Sequence, residues 1–263
     1  MTASTISLTR EASIARVTIS RPERRNAITG EMMREIDRIA QGFADDEQTR
    51  VVIFQAEGAD FSVGADLATS PSSRTDASLL MRRRAAEMGA RLMRSIRDIH
   101  QPTICAIKGV ATGAGACIAT ACDFRLAAQT ARIGYGEVKL GMNLMWHAVP
   151  LCVHLVGPAR AKRMIMTGKL FDATTLERWG FLDEVTTVES LDALATAWAA
   201  DYAALPPISV QMIKRSINRY AGALDEAIMH ADADQWLLAT LSGDYKESVG
   251  AFFDKRVAVF KGD

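Results

Sequence analysis

Two glycine-rich bends and one carboxylate are the residues here whose types and spacing could do chemistry. The first bend is Phe61-Ser62-Val63-Gly64-Ala65-Asp66-Leu67, and the second is Gly109-Val110-Ala111-Thr112-Gly113-Ala114-Gly115. Each follows an apolar run and bends at small residues. Small residues let a ligand approach the backbone, and a bend leaves N–H groups without partners. In the second bend those N–H groups also open an apolar helix, where the dipole favours negative charge. The carboxylate is Glu137, set among glycines in Ile133-Gly134-Tyr135-Gly136-Glu137-Val138-Lys139-Leu140-Gly141.

Other chemistries find less support. The cysteines Cys105, Cys117, Cys122 and Cys152 form no CxxC pair and sit in apolar runs, as buried reduced thiols do. The histidines His100, His147, His154 and His230 have no ligand spacing, so no metal site is expected. Lys plus Arg and Asp plus Glu both number 31, so the chain lacks the basic excess usual in nucleic-acid binders. The first twenty residues have no apolar core of signal-peptide type, and 114–121 is too short to cross a bilayer; a soluble cytoplasmic protein is expected.

The elements that must position these residues follow from periodicity. Two short runs around Arg10-Glu11-Ala12-Ser13 predict an N-terminal hairpin. Thr29 can cap a helix that turns Met33, Ile36, Ile39, Ala40 and Phe43 inward. Continuous apolar runs predict buried strands over 51–54 and 103–107, with a further strand at 124–127. A loop is expected over 58–73. A helix is predicted over 79–99, with Leu80, Met81, Met88, Leu92, Ile96 and Ile99 inward and an arginine-rich outer face. From Trp146 the spacing is helical over 146–155, 159–167, 173–178, 190–204, 207–221, 224–241 and 244–258. Strands alternating with helices, then helices alone, predict an α/β core followed by a helical section. With 49% hydrophobic and 24% charged residues, 263 residues suffice for one large domain or a domain with an appendage.

These segments, in this order, resemble the enoyl-CoA hydratase/isomerase (crotonase) family. The resemblance begins at Arg21-Pro22-Glu23-Arg24-Arg25-Asn26-Ala27 and runs through both bends and the Glu137 segment. It continues through Gly157-Pro158-Ala159-Arg160-Ala161 to Phe253-Asp254-Lys255-Arg256 and Phe260-Lys261. It implies an α/β, crotonase-like spiral of ββα turns over 1–195 carrying an acyl-CoA site, and a helical oligomerisation section over 196–263. It implies an oxyanion hole made by the amides of Ala65 and Ala114, with coenzyme A near Arg24, Arg25, Ala27, Ala65, Asp66 and Leu67. Lys255 or Lys261, from this or a neighbouring subunit, would help. Coenzyme A would be part of the substrate, with no further cofactor, and the assembly a homotrimer or a hexamer built as a dimer of trimers.

Two departures from the family pattern matter. The family's hydratases use two glutamates; the second matches Glu137, but the first falls at position 117, which is Cys. A thiol with a pKa of about 8.5 is a poor stand-in for a carboxylate that must take a proton from water. One carboxylate does suffice to move a proton from carbon 2 to carbon 4 of a 3-enoyl-CoA, so an isomerase is the leading expectation. A hydratase with water held by other groups and a non-catalytic acyl-CoA-binding protein are the alternatives. The second departure is Met142-Asn143-Leu144-Met145-Trp146-His147 where many relatives have a small-residue turn. Met142, Leu144, Met145, Trp146 and Cys117 would wall the acyl pocket. His147 and Asp66 are weaker candidates for an acid or base. Trp236, Leu237, Leu238, Phe252 and Phe253 could cover a partner subunit.

Overall fold

The computed structural model describes residues 5–69 and 77–263. Strands β1 (Ile6–Glu11) and β2 (Ile14–Ile19) form the expected hairpin, with Ile6 opposite Ile19. Strands β3 (Val51–Ala56) and β4 (Thr103–Ile107) then join β2 in parallel, and β6 (Phe124–Ala128) and β9 (Glu184–Thr186) extend the sheet in the order β1-β2-β3-β4-β6-β9. A second sheet has the order β5-β7-β8, from Val110–Thr112, Arg132–Gly134 and Phe171–Asp172. Helices α1 (Gly30–Gly42), α2 (Leu79–Arg97) and α3 (Ala114–Ala121) follow β2, β3 and β5 respectively. The expected ββα spiral is therefore present. Among the described residues, no helix is long and apolar enough to cross a membrane.

Local chemistry fixes the element ends. Thr29 Oγ1 accepts from Met32 N at 3.2 Å, and Met32, Met33, Ile36, Ile39 and Ala40 are buried at helical spacing. The main core lies where α1, α2 and α3 meet the inner face of the sheet. On the opposite face, Val51, Ile53, Ile104 and Leu126 pack against Leu191, Ala195 and Ala199 of α7 (Leu191–Ala203). Position 195, where the core was expected to end, thus lies inside a helix that belongs to the sheet.

The remaining helices are α4 (Ala148–Val156), α5 (Pro158–Thr167), α6 (Ala173–Trp179), α8 (Pro207–Ala221), α9 (Glu226–Met229), α10 (Asp232–Leu241) and α11 (Gly243–Asp254). The expected single helix over 224–241 is two, because the chain turns at His230 and Ala231 to bring Asp232 under the 146–147 backbone. The inward face expected for α2 needs correction at its start: Leu80 and Met81 are 56% and 53% exposed. Ala86 and Gly89, facing α10 and Trp146, are the buried positions there instead. The loop expected over 58–73 extends into residues outside those described. Trp236 does not face outward either; it is 5% exposed and packs with Ala86 and Ala233, with Leu237 against them. Leu238, Phe252 and Phe253 are exposed.

Candidate functional site

The two bends meet. Gly64 has φ of 102° and Gly113 has φ of 51° with ψ of −121°, conformations that side-chain-bearing residues rarely adopt. A Cβ placed on Gly64 would lie 3.2 Å from Thr112 O and 3.8 Å from Ala114 N. One placed on Gly113 would lie 3.5 Å from Gly64 Cα and 3.5 Å from Glu137 Oε1. Both glycine backbones and the carboxylate therefore border one small space, which any side chain at 64 or 113 would invade.

Hydrogen bonds on either side hold the bends in place. Ser62 N donates to Val110 O at 3.0 Å and Thr112 N to Ser62 O at 3.0 Å, tying the first bend to the second. Ile28 N donates to Gly64 O and Asp66 N to Ile28 O, each at 2.8 Å. The amide between them, Ala65 N, has no protein acceptor among the described residues, and neither has Ala114 N at the start of α3. Two unpaired donors thus flank the space that Glu137 borders.

Arg21, Asn26 and Asp60, to which the sequence assigned no role, brace this arrangement together with Arg25 and Asp66. Arg21 Nη1 donates to Asp66 Oδ2 at 2.7 Å, and the Asn26 amide donates to Glu57 O and Asp60 O at 2.8 Å each. Arg25 Nε donates to Asp60 Oδ2 at 2.7 Å, while Asp60 Oδ1 accepts from Val110 N at 2.8 Å. Asp60 thereby links the 21–27 segment to the second bend. Asp66, weighed above as an acid, is buried and holds its turn; the Arg21 guanidinium keeps its carboxyl below the usual range. Arg24 is exposed beside these groups, and Ala27 is half-buried. Lys255 caps α11 in the left-handed region, and Lys261 N donates to Asp244 Oδ1 at 2.7 Å, so the tail folds back on its own helix.

Glu137 opens the short turn Glu137–Leu140 after β7. The residue is partly exposed, but its Oε2 is buried and has no partner among the described residues. Burial raises its pKa from 4.5 to about 7. Loss of hydration disfavours the charged form, and among the described residues no neighbouring cation compensates. Cys117, on α3, is 1% exposed; burial first, then the nearby Glu137 carboxylate, pushes its thiol well above the ordinary value. It does not ionise at neutral pH.

The 142–147 segment forms a wall. The Trp146 indole lies so close to α2 that a Cβ on Gly89 would come within 1.9 Å of it. Leu144 is buried in the main core, and Met142 and Met145 pack against Ala86, Ala233 and Trp236. Trp146 and His147 both have positive φ, 65° and 61°, and His147 N donates to Asp232 Oδ2 at 2.7 Å. The His147 ring lines a separate cavity of about 740 Å³ between α2 and α8. Burial and Arg94 lower its pKa, so it stays neutral at pH 7. Among the described residues, no cluster of three or more His, Cys, Asp or Glu could hold a metal ion.

The sequence model of the enoyl-CoA hydratase/isomerase family matches residues 9–263. A crotonyl-CoA hydratase of Syntrophomonas wolfei is 29% identical over 256 residues, covering 97% of each chain. A 1,2-epoxyphenylacetyl-CoA isomerase of Escherichia coli K12 is also 29% identical, over 252 residues and 96% of each chain. The crystal structure of an enoyl-CoA hydratase from Mycobacterium avium subsp. paratuberculosis superposes with a TM-score of 0.88 at 24% identity, over 98% of this chain and 99% of that one.

Proposed function

Because the chain belongs to the enoyl-CoA hydratase/isomerase family, we propose that it acts on an acyl-CoA by shifting a double bond with one carboxylate. Ala65 N and Ala114 N hold the thioester oxygen; Glu137 takes a proton from carbon 2 of a 3-enoyl-CoA and returns it to carbon 4. The intermediate is a dienolate whose negative charge sits on the thioester oxygen, where the two donors and the start of α3 stabilise it. Donors fixed before reaction cost nothing to reorganise, and losing one commonly costs about 3–4 kcal/mol in transition-state energy. A base with a pKa of about 7 is partly deprotonated at neutral pH and still strong enough to accept a carbon-bound proton.

The single observation that supports an isomerase over a hydratase is the site's second position. Hydration of a 2-enoyl-CoA needs a group to deliver water as well as one to protonate carbon, and Cys117 is buried and un-ionised. Hydratase names predominate among the relatives, although an isomerase matches at the same 29% identity as a crotonyl-CoA hydratase. We further assign coenzyme A to the exposed side of the bends, beside Arg24, Arg25, Ala27 and Leu67, with Lys255 or Lys261 supplied by this or a neighbouring subunit. A homotrimer, alone or paired as a hexamer, is the proposed assembly. Exposed Ile208, Met212, Ile213 and Ile217 on α8 give it an apolar surface to cover.

The test is product analysis with matched 2-enoyl and 3-enoyl thioesters. The wild type should convert 3-enoyl-CoA to 2-enoyl-CoA without incorporating solvent oxygen, and Glu137→Gln should lose that turnover while still binding the thioester. Oxygen incorporation into a 2-enoyl-CoA at a comparable rate refutes the isomerase and supports a hydratase with water held elsewhere. Tight binding with no turnover of either substrate supports a binding protein.

A further inference from the structure

Six buried side-chain polar atoms lack a hydrogen-bond partner among the described residues: Arg82 Nε, Gln101 Oε1, Glu137 Oε2, Asn143 Oδ1, Asp225 Oδ2 and Ser248 Oγ. Four of these six line the junction of the 137–146 segment with α2, α10 and α11. Glu137 and Asn143 belong to that segment. Asn143 Nδ2 reaches Gln235 Oε1 of α10 at 3.3 Å, leaving Oδ1 unused. Ser248 of α11 is 2% exposed, and its Oγ lies 3.2 Å from where a Cβ on Gly141 would stand. Arg82 Nη2 of α2 donates to Thr240 Oγ1 of α10 at 3.3 Å. Buried polar atoms without partners are uncommon, so four on adjoining elements ask what completes their bonding.

Arg82 is the informative member of this group. Three of the other five arginines of α2 have carboxylate partners, Arg83 with Asp234 and Glu87, Arg91 with Asp37, and Arg97 with Asp225; Arg84 and Arg94 have none among the described residues but are exposed to water. Arg82 has a neutral hydroxyl and, among the described residues, no acid. A guanidinium is always charged, and leaving its Nε–H buried without an anion is more costly than leaving a neutral donor so. Its position relative to the reacting groups is set by α2. Residues 82, 86 and 89 lie on one helical face, and positions 82 and 89 stand about 10 Å apart along the axis. Gly89 carries the Trp146 indole, and Ala86 carries Met142 and Met145, so this face continues the wall that begins at Glu137.

We propose that Arg82 recognises a carboxylate at the far end of the acyl group, making the substrates of this site CoA monothioesters of dicarboxylic acids. This rests on the acyl-CoA reading given above and adds the chemistry of the acyl terminus. The chain would run along the apolar wall formed by Met142, Met145 and Trp146. Its terminal carboxylate would accept from Arg82 Nε and Nη2 in the two-point geometry that guanidinium offers to carboxylates. Asn143 and Ser248 would meet polar atoms of the same ligand or its bound water.

The test is calorimetric binding of saturated thioesters, which needs no turnover. Each CoA monothioester from glutaryl to suberyl is paired with the methyl-terminated acyl-CoA of the same carbon count. For at least one chain length the wild type should bind the carboxylated member roughly ten- to a hundred-fold more tightly, the range for a hydrogen bond between charged groups. Arg82→Met should reverse that preference, and Arg82→Lys should keep part of it. Thr240→Asp, which gives Arg82 an internal counter-ion, should abolish it and serves if Arg82→Met does not fold. Binding of both series without preference for the carboxylate, or an equal loss for both in Arg82→Met, overturns the assignment of Arg82 alone. Failure of the wild type to bind any of these thioesters overturns the acyl-CoA reading and this inference with it.

Discussion

Replacing Glu137 by Gln should stabilise the folded protein, by an amount that depends on pH in a defined window. The carboxyl titrates at about 7 when folded against 4.5 when solvated, a difference of about 2.5 units. At about 1.4 kcal/mol per unit this is worth ~3 kcal/mol. Below pH 4.5 the group is protonated in both states, and Gln imitates it. Between 4.5 and 7 the folded protein keeps a proton that the unfolded chain has released, so stability falls as pH rises. Above 7 the full penalty is present. The stability gap between Glu137→Gln and wild type should therefore widen by ~3 kcal/mol from pH 4.5 to 8 and then stay level. For a chain of this size that is roughly 6–12 °C in melting temperature. Urea or thermal unfolding at fixed protein concentration measures it, with concentration fixed because an oligomer's stability depends on it. A gap that stays constant over this range means that Glu137 is paired or hydrated, and the argument for a tuned base fails.

The same group sets the pH dependence of activity: kcat/KM should rise as pH passes through about 7, because the base acts deprotonated, and a profile falling through that region contradicts the assignment. Gly113→Ala forces a side chain into the space between Gly64 Cα and Glu137 Oε1, each 3.5 Å away, in a conformation alanine avoids; turnover should fall at least a hundred-fold with the circular dichroism unchanged. Gly89→Ala cannot coexist with the present Trp146 position, so it should cost ~1–3 kcal/mol in denaturant unfolding and shift tryptophan fluorescence, and adding Trp146→Leu should restore part of the stability. Cys117→Glu restores a second carboxylate beside Glu137; hydration of a 2-enoyl-CoA, followed by its absorbance, should rise from background, and one of the two acids should titrate higher than Glu137 does alone.

What the sequence revealed of this fold depended on how many residues carried each signal. β3 and β4 were legible as continuous apolar runs, and α1 through its cap and inward stripe. β5, β7, β8 and β9 have two or three residues each, too few for a period to register. The start of α2 misled for another reason. Leu80 and Met81 are apolar but exposed, while Gly89 is buried because Trp146, 57 positions later, requires the room. Both bends were visible because their backbone geometry demands small residues. The Arg21–Asp66 and Arg25–Asp60 braces were not, since ordinary charged residues 45 and 35 positions apart leave no local pattern.

The placement of charge in the site explains why the thiol at 117 matters more than its small size suggests. A second carboxylate would stand in the same buried region as Glu137, and two like charges there cannot both ionise near neutral pH. Such a pair divides naturally into an acid and a base, as delivering water and protonating carbon require. With Cys117 un-ionised, Glu137 is left to burial alone, which brings it to about 7 and fits it to give and take the same proton. An isomerisation returns what it removes, so one such group closes the cycle with no net proton exchanged. In the proposed reaction the oxygen's negative charge lasts only between the two transfers, and among the described residues Ala65 N and Ala114 N have no protein acceptor. On the proposed reading, the residue at one buried position decides which reaction the surrounding bends complete.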